Sequence, residues 1–284
     1  MKNIGPFKLY TKKPNDINYG QIYTMEVELP ILYSQKRIVR VYLPENFDSK
    51  KKYPVLIMSD GQNIVDKYTS AFGAWDIDVH EHNLINESHR SFIVVGIDCP
   101  NDPSHRALEY SFPFIKMDDK EEGSELNKLN LEFESHYLFK YIATELLPLI
   151  KNHFPISNRR EDVGVGGSSM GGVFSFSLLA SYPEIFGFAL IFSPGFFLYA
   201  QSEVKKYLDS CALKLRNHKM YFYSGNVGFE SKFLKRTIET FEYFKSCGFN
   251  ENEIYLDVDL EGEHNEATWS KHFEHAIMFC LSKN

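Results

Sequence analysis

Apolar residues follow two different periods along this chain, and the first of them predicts strands. Residues 23–29 and 37–43 alternate apolar and polar side chains, and the turn between them predicts an antiparallel hairpin at a sheet edge. Near-continuous apolar runs predict buried central strands. Such runs occur at residues 53–58 and 92–97, and further strands are predicted at residues 188–192, 220–223 and 254–258.

The second period is helical, and it recurs between these strands. Residues 137–152, 231–246 and 267–281 each carry an apolar stripe at helical spacing. Alternating strands and helices predict a doubly wound, mostly parallel sheet with helices on both faces. About eight strands are visible, which is typical of the α/β-hydrolase architecture. Since no repeat or linker divides the sequence, we expect a single domain over residues 1–284.

One charged segment, residues 113–131, interrupts this rhythm between a strand and the next helix. It has two interpretations. It is either a solvated insertion or a flap that borders a functional site, because long loops in compact domains are often functional.

Composition narrows the class of protein. The chain is 43% hydrophobic with a net charge of −7, which supports a sizeable core and gives no reason to expect nucleic acid or an anionic membrane as a partner. The four cysteines are dispersed without the spacing of a zinc site or a disulfide framework. No apolar run follows the N-terminal residues, so we expect no signal peptide and a cytoplasmic protein.

The sequence around Ser169 is the strongest chemical signal. Ser169 is the centre of a G-x-S-x-G motif framed by Gly167 and Gly171, after a short apolar strand and before an apolar helix. A strand–turn–helix of this kind lifts a serine hydroxyl above the sheet as a nucleophile. The alternative is an ordinary turn rich in glycine and serine. The flanking elements favour the nucleophile.

A serine nucleophile needs a base, and chain order restricts the choice of histidine. In α/β-hydrolases the order is serine, acid, histidine, with the partners on loops after later strands. Four of the ten histidines follow Ser169. His218 precedes a strand, and His272 and His275 lie in the last predicted helix. His264 directly follows the last strand and is the predicted base.

The acid that orients the base is less constrained by the sequence. Glu230 is the carboxylate in the loop after residues 220–223, and it is our preferred acid. It could instead serve only as a helix N-terminal residue favoured by the macrodipole. Asp257 and Asp259, next to the last strand, are alternatives. A Ser–His dyad without an essential acid is also open.

Other residues are predicted to line the site. The oxyanion of an acyl-transfer reaction needs backbone N–H donors, which we expect from Met170, after the nucleophile, and from Gln62, in the loop 60–63. Phe196 and Phe197 could wall the substrate or simply pack in the core. Arg106 could bind an anionic substrate or pair with Glu109, and pairing is the preferred interpretation.

With these residues in place, the chain resembles the putative esterase family of α/β-hydrolases, which includes esterase D-like and enterochelin esterases. The resemblance covers nearly the whole chain after Gln21. It rests on pieces such as residues 41–44, 60–63, 167–172 and 193–194, and on the stretch from His264 to Trp269. It implies that Ser169 and His264 are catalytic, supports Glu230 as the acid and Gln62 and Met170 as the oxyanion hole, and implies no large cap domain.

The predicted function is therefore a serine esterase that acts on a small-molecule ester, with no metal or organic cofactor expected. Two enzyme alternatives stay open, a siderophore trilactone esterase and an S-formylglutathione or other thioester hydrolase. A protein that has kept the fold for binding and lost the chemistry is a third. Self-association into a homo-oligomer is left open.

Overall fold

The computed structural model describes residues 4–10, 19–29, 32, 36–65, 67–70, 73–113, 115 and 134–282. Residues 114 and 116–133, which make up nearly all of the segment predicted as an insertion or a flap, lie outside the described residues.

Nine strands of the described residues form one sheet with the order β1-β2-β3-β5-β4-β6-β7-β8-β9. Strands β1 to β3 are antiparallel to their neighbours, including β3 to β5, and the remaining pairs are parallel. The strands are β1 (Lys8–Leu9), β2 (Gln21–Glu28), β3 (Lys36–Leu43), β4 (Val55–Met58), β5 (Ile93–Ile97), β6 (Val163–Ser168), β7 (Phe188–Phe192), β8 (Lys219–Gly225) and β9 (Ile254–Asp259).

The predicted hairpin and the predicted parallel centre of the sheet are both confirmed. The strand beyond the eight that the sequence indicates is β1, which has two residues and pairs with the edge of β2. A strand this short has no periodicity from which to predict it.

Helices cover both faces of this sheet. They are α1 (Ile77–Ser88), α2 (Pro103–Tyr110), α3 (Ser135–Tyr141), α4 (Leu147–His153), α5 (Met170–Ser181), α6 (Gln201–Cys211), α7 (Ser231–Ser246), α8 (Glu266–Ser270) and α9 (Phe273–Leu281). Helices α2 to α7 contribute to the core on one face, and α1, α8 and α9 to the core on the other. Strand β4 shows why both form, because Val55 and Ile57 face the first core while Leu56 and Met58 face the second.

Two predicted helices are interrupted. The helix predicted over 137–152 contains a π-helical turn, Ile142–Leu146, between α3 and α4. The turn ends two residues before Pro148, which has no N–H to donate to the carbonyl four residues earlier and whose ring would clash with that carbonyl in a regular helix. The helix predicted over 267–281 is divided into α8 and α9 at Lys271 and His272. None of the helices in the described ranges is both long and apolar enough to cross a membrane.

Candidate active site

The turn between β6 and α5 holds Ser169 in a strained backbone conformation. Its φ is 60° and its ψ is −122°, which side chains with a Cβ rarely adopt. The neighbouring glycines are required by close approach. A Cβ on Gly167 would lie 2.2 Å from Ser59 Oγ, and one on Gly171 would lie 2.3 Å from the same atom. The structure therefore has the tight strand–turn–helix that the motif predicts, with Ser169 at its apex.

His264 lies against this serine. Its Nε2 is 3.0 Å from Ser169 Oγ, within hydrogen-bond distance. The imidazole is held between aromatic rings. Phe233 of α7 stacks on it at 4.2 Å between centroids, and Trp269 of α8 meets it edge-on at 4.8 Å. This packing from two helices fixes the ring plane and keeps Nε2 directed at the Ser169 hydroxyl.

Glu230 contacts the other nitrogen of the same imidazole. Its Oε2 hydrogen-bonds to His264 Nδ1, and its side chain is fully buried. The second oxygen, Oε1, accepts hydrogen bonds from the Gly225 amide at 2.8 Å and from the Ser193 hydroxyl. Both carboxylate oxygens are thus satisfied, which offsets the cost of burying the group.

The two alternative carboxylates lie elsewhere. Asp257 Oδ2 is 2.7 Å from His272 Nδ1, and Asp259 Oδ2 is 3.2 Å from His272 Nε2. Of the three carboxylates considered from the sequence, Glu230 is the one that the structure brings against His264. His218 directly precedes β8 and hydrogen-bonds to backbone carbonyls, including that of Pro183 at 2.7 Å.

A supporting hydrogen bond behind the acid was not predicted from the sequence. Trp269 Nε1 donates to Ser193 Oγ at 2.9 Å, and Ser193 in turn donates to Glu230. Ser193 directly follows β7 and has a φ of 41°. The sequence shows Ser193 before a proline and Trp269 five residues after His264, but nothing local indicates that the two side chains meet.

The two predicted oxyanion donors lie at the starts of two helical turns. Met170 is the first residue of α5, so its N–H has no acceptor within the helix. Gln62 lies in a short 3₁₀ turn, Gly61–Asn63, and precedes Asn63, whose amide closes the first turn on Asp60. The Gln62 side chain is clipped to Cys99, with Oε1 accepting from the Cys99 amide at 3.1 Å and Nε2 donating to its sulfur at 3.1 Å.

Arg106 binds the residue before this 3₁₀ turn, and the predicted pairing with Glu109 is wrong. Arg106 Nε and Nη2 donate to the two oxygens of Asp60 at 2.7 and 2.8 Å. Glu109 pairs instead with Arg37 of β3. Arg106 and Glu109 are neighbours on α2, but each has a partner of opposite charge from another part of the chain. Asp60 lies against Arg106, and Arg37 lies against Glu109.

A cavity of about 780 Å³ opens beside Ser169 and His264. Most of the described residues that line it are of polar type, and they include Arg106 but neither Phe196 nor Phe197. Phe196 is buried in the core, stacked on Phe112 at 5.5 Å. Phe197 packs edge-on against Phe233, 4.8 Å between centroids, and so borders the histidine through that ring. The charged residues of the lining are Arg40, Asp60, Asp98, Arg106, His264 and Glu266.

Burial is the main cause of the pKa shifts of the titratable groups in this cavity. Burial raises the pKa of the Cys99 thiol to about 12, so the thiol is protonated at neutral pH and does not compete as a nucleophile. Burial also raises the pKa of Glu266. Arg106 keeps a raised pKa despite its burial, because Asp60 is adjacent. Within the described ranges, no group of three His, Cys, Asp or Glu side chains is placed to hold a metal ion.

Comparison with known proteins gives the same architecture. A curated relative, the uncharacterized protein YbbA of Bacillus subtilis (strain 168), is 22% identical over 252 residues, which are 86% of this chain and 92% of YbbA. A ferulic acid esterase structure superposes with a TM-score of 0.67 at 18% identity, covering 93% of this chain and 98% of that one. The ferric enterobactin esterase of Salmonella typhimurium superposes with a TM-score of 0.69 at 17% identity, covering 95% of this chain and 59% of that one.

These structures share the fold of this chain at identities too low to transfer a substrate. The family is shown independently, because the profile described as Putative esterase matches residues 32–278, from before β3 into α9. The match includes the elbow, the loop of Glu230 and the loop of His264. The chain therefore belongs to the Putative esterase family of α/β-hydrolases, whose activity is the hydrolysis of carboxylic esters.

Proposed function

We propose that this protein is a serine esterase that works through an acyl-enzyme on Ser169. The observation that carries the proposal is the continuous contact from Ser169 Oγ to His264 Nε2, at 3.0 Å, and from His264 Nδ1 to the buried Glu230. A hydroxyl becomes an effective nucleophile when a base of this kind accepts its proton.

In the proposed reaction, His264 takes the proton of Ser169 while Oγ attacks the ester carbonyl. Glu230 holds the imidazole in the tautomer that accepts at Nε2 and stabilises the imidazolium that forms. The amides of Gln62 and Met170 bind the oxyanion of the tetrahedral intermediate. His264 then gives the proton to the departing alcohol. Water, activated by His264 in the same way, releases the acid and restores Ser169.

The arrangement also supports roles for the surrounding side chains. Two contacts position the proposed oxyanion loop, one between Arg106 and Asp60 and one between Gln62 and Cys99. We therefore propose that Arg106 acts through Asp60 and does not itself bind an anionic substrate. Phe197 is proposed to brace Phe233 against His264. A cytoplasmic location, a single domain and the absence of a cofactor remain predictions from the sequence.

The charge of the cavity bears on the siderophore alternative. One neighbour by structure is named as a ferric enterobactin esterase. In this chain, Arg40 is held by Asp98 through two contacts of 2.7 Å, and Arg106 is held by Asp60. Because both guanidinium groups are neutralised within the cavity, the described part of its lining carries no surplus positive charge to attract an anionic ferric complex. This favours a neutral or cationic ester.

A fluorophosphonate probe tests the proposal. We expect mass spectrometry to find the label on Ser169, and we expect turnover of p-nitrophenyl esters between acetate and octanoate. Ser169→Ala should abolish labelling and lower kcat by about 10⁴-fold or more, while Ser202→Ala, an exposed serine on α6, should change neither. Labelling that survives in Ser169→Ala would overturn the proposal. Absence of labelling and turnover in the wild type would favour a fold used for binding.

A further inference from the structure

Asn63 and Glu266 form a polar pair inside the cavity that the proposed reaction does not use. Asn63 directly follows the oxyanion donor Gln62, and Glu266 is two residues beyond His264. Asn63 Nδ2 donates to Glu266 Oε1 at 2.7 Å, and both residues line the cavity beside Ser169. The pair therefore joins the two loops between which an ester carbonyl would lie.

Each member of the pair has one oxygen that the contact between them does not use. Asn63 is 8% exposed and Glu266 is 6% exposed. Within the described part of the chain, Asn63 Oδ1 and Glu266 Oε2 are buried and have no hydrogen-bond partner. The assignment of the amide is physically constrained, since Nδ2 must face the carboxylate and Oδ1 must then face away. Two buried acceptors without donors are costly in a folded protein, because each has lost its hydrogen bonds to water.

The charged groups that the structure describes around the pair leave its two unpartnered oxygens without a cation. The two arginines of the cavity each bind a carboxylate of their own, Asp60 or Asp98. Burial raises the pKa of Glu266 and the charge of Asp60 adds to the shift, whereas the backbone amide of Glu266 itself, the hydrogen bond from Asn63 and the charge of Arg106 oppose it. A group in this setting gains most from a hydrogen-bond donor or a cation supplied from the cavity.

We infer that Asn63 and Glu266 are specificity-determining residues that bind a hydrogen-bond donor, a hydroxyl or an ammonium group, carried by the ester close to its carbonyl. This deepens the proposed function and rests on it. The pair selects esters of hydroxylated or aminated acids or alcohols over esters that are apolar on both sides.

Matched substrates measure this selectivity. On the acyl side, we would compare p-nitrophenyl esters of 3-hydroxypropanoate, 3-aminopropanoate and 3-methoxypropanoate. On the alcohol side, we would compare 2-hydroxyethyl with 2-methoxyethyl butanoate. In the wild type we expect kcat/KM for the donor-bearing ester to exceed that of its methoxy analogue by about 10- to 100-fold in one series, the worth of one buried hydrogen bond. An amino ester preferred over the hydroxy ester would show that Glu266 binds as an anion.

Variants assign the selectivity to the pair. Glu266→Gln keeps the shape but replaces one acceptor with a donor, so the ratio of donor-bearing to methoxy ester should fall to about one or reverse. Asn63→Leu, which removes Oδ1, should also lower the ratio and serves as a second variant if Glu266→Gln folds poorly. Glu263→Gln changes the same loop charge at an exposed residue and should keep the wild-type ratio.

The outcomes separate this inference from the function on which it rests. Ratios within about twofold of one in both wild-type series, or a wild-type ratio that survives in Glu266→Gln, would overturn the inference even where Ser169 is labelled and esters are cleaved. No labelling and no turnover of any ester would overturn the esterase and the inference together. Because the readout is a ratio within each variant, a general loss of rate does not mimic the expected result.

Discussion

Ser169 carries a Cβ at a φ of 60° and a ψ of −122°, a combination that glycine tolerates far better. The fold accepts this strain because the turn places Oγ above the sheet, 3.0 Å from His264 Nε2. Strain stored at one residue should be measurable as stability gained when it is released.

We predict that Ser169→Gly is more stable than Ser169→Ala by about 1 kcal/mol in chemical unfolding, although neither variant is active. Both lose the hydroxyl, so the difference reports the Cβ in the strained turn. Ser175, within α5, is the matched control, because glycine there should be less stable than alanine by about 0.5–1 kcal/mol. If the glycine variant were less stable than the alanine variant at Ser169 as well as at Ser175, the turn would store no strain.

The role of Glu230 can be tested against Asp257, one of the two alternative carboxylates that the sequence left open. We predict that Glu230→Gln lowers kcat by about 10²- to 10⁴-fold, because the amide no longer stabilises the imidazolium or its tautomer. Asp257→Asn, whose carboxylate contacts His272, should stay within about threefold of wild type. Steady-state kinetics on a p-nitrophenyl ester decides between them. A larger loss in Asp257→Asn would point to a different acid.

At the scale of elements, the break between α8 and α9 is tied to the end of β9. His272 lies at this break and binds Asp257 and Asp259 through its two ring nitrogens. Burial alone would lower the pKa of His272, but the hydrogen bonds and charges of the two aspartates outweigh it, and the pKa is raised above its ordinary value of 6.5. Burial alone would raise the pKa of Asp257, but the hydrogen bond from His272 outweighs it, and the pKa is lowered.

These shifts predict a pH window for stability. A raised histidine pKa contributes stability that is complete below pH 6.5 and is lost as pH rises through the folded-state pKa, whereas the lowered pKa of Asp257 contributes above its ordinary value of 3.8. We therefore predict that His272→Gln destabilises the protein by about 1 kcal/mol more at pH 5.5 than at pH 9. Urea unfolding at both pH values measures the difference, and an equal loss at the two would contradict a charged His272.

At the scale of the whole molecule, a buried ion pair joins the antiparallel edge of the sheet to a helix that supports the site. Arg37 of β3 and Glu109 of α2 bind each other with side chains 2% and 1% exposed. Helix α2 also carries Arg106, which binds Asp60 directly before the 3₁₀ turn of Gln62. The pair therefore connects the antiparallel part of the sheet, through α2, to the turn of the proposed oxyanion donor.

We predict that Glu109→Leu lowers the free energy of unfolding by about 3–5 kcal/mol, because it leaves the Arg37 charge buried without its carboxylate. The double variant Arg37→Met/Glu109→Leu should recover most of this loss, since both charges are then removed. Lys206→Ala breaks an exposed pair with Glu203 and should cost less than about 1 kcal/mol. A double variant as unstable as Glu109→Leu would mean that the cost comes from packing.

The sequence by itself determined the alternation of strands and helices, the buried centre of the sheet, the family, and the positions of Ser169 and His264 in two loops. Periodicity and the glycines of a tight turn are local features that can be read within short windows of chain, and the order of motifs can be read along the chain without knowing its contacts. The tertiary structure decided which partner each buried charge has. Glu230 and not Asp257 contacts His264, Arg106 binds Asp60 and not Glu109, and Asn63 meets Glu266. These contacts join loops far apart in the sequence, and their geometry depends on how the sheet twists and how the helices pack upon it.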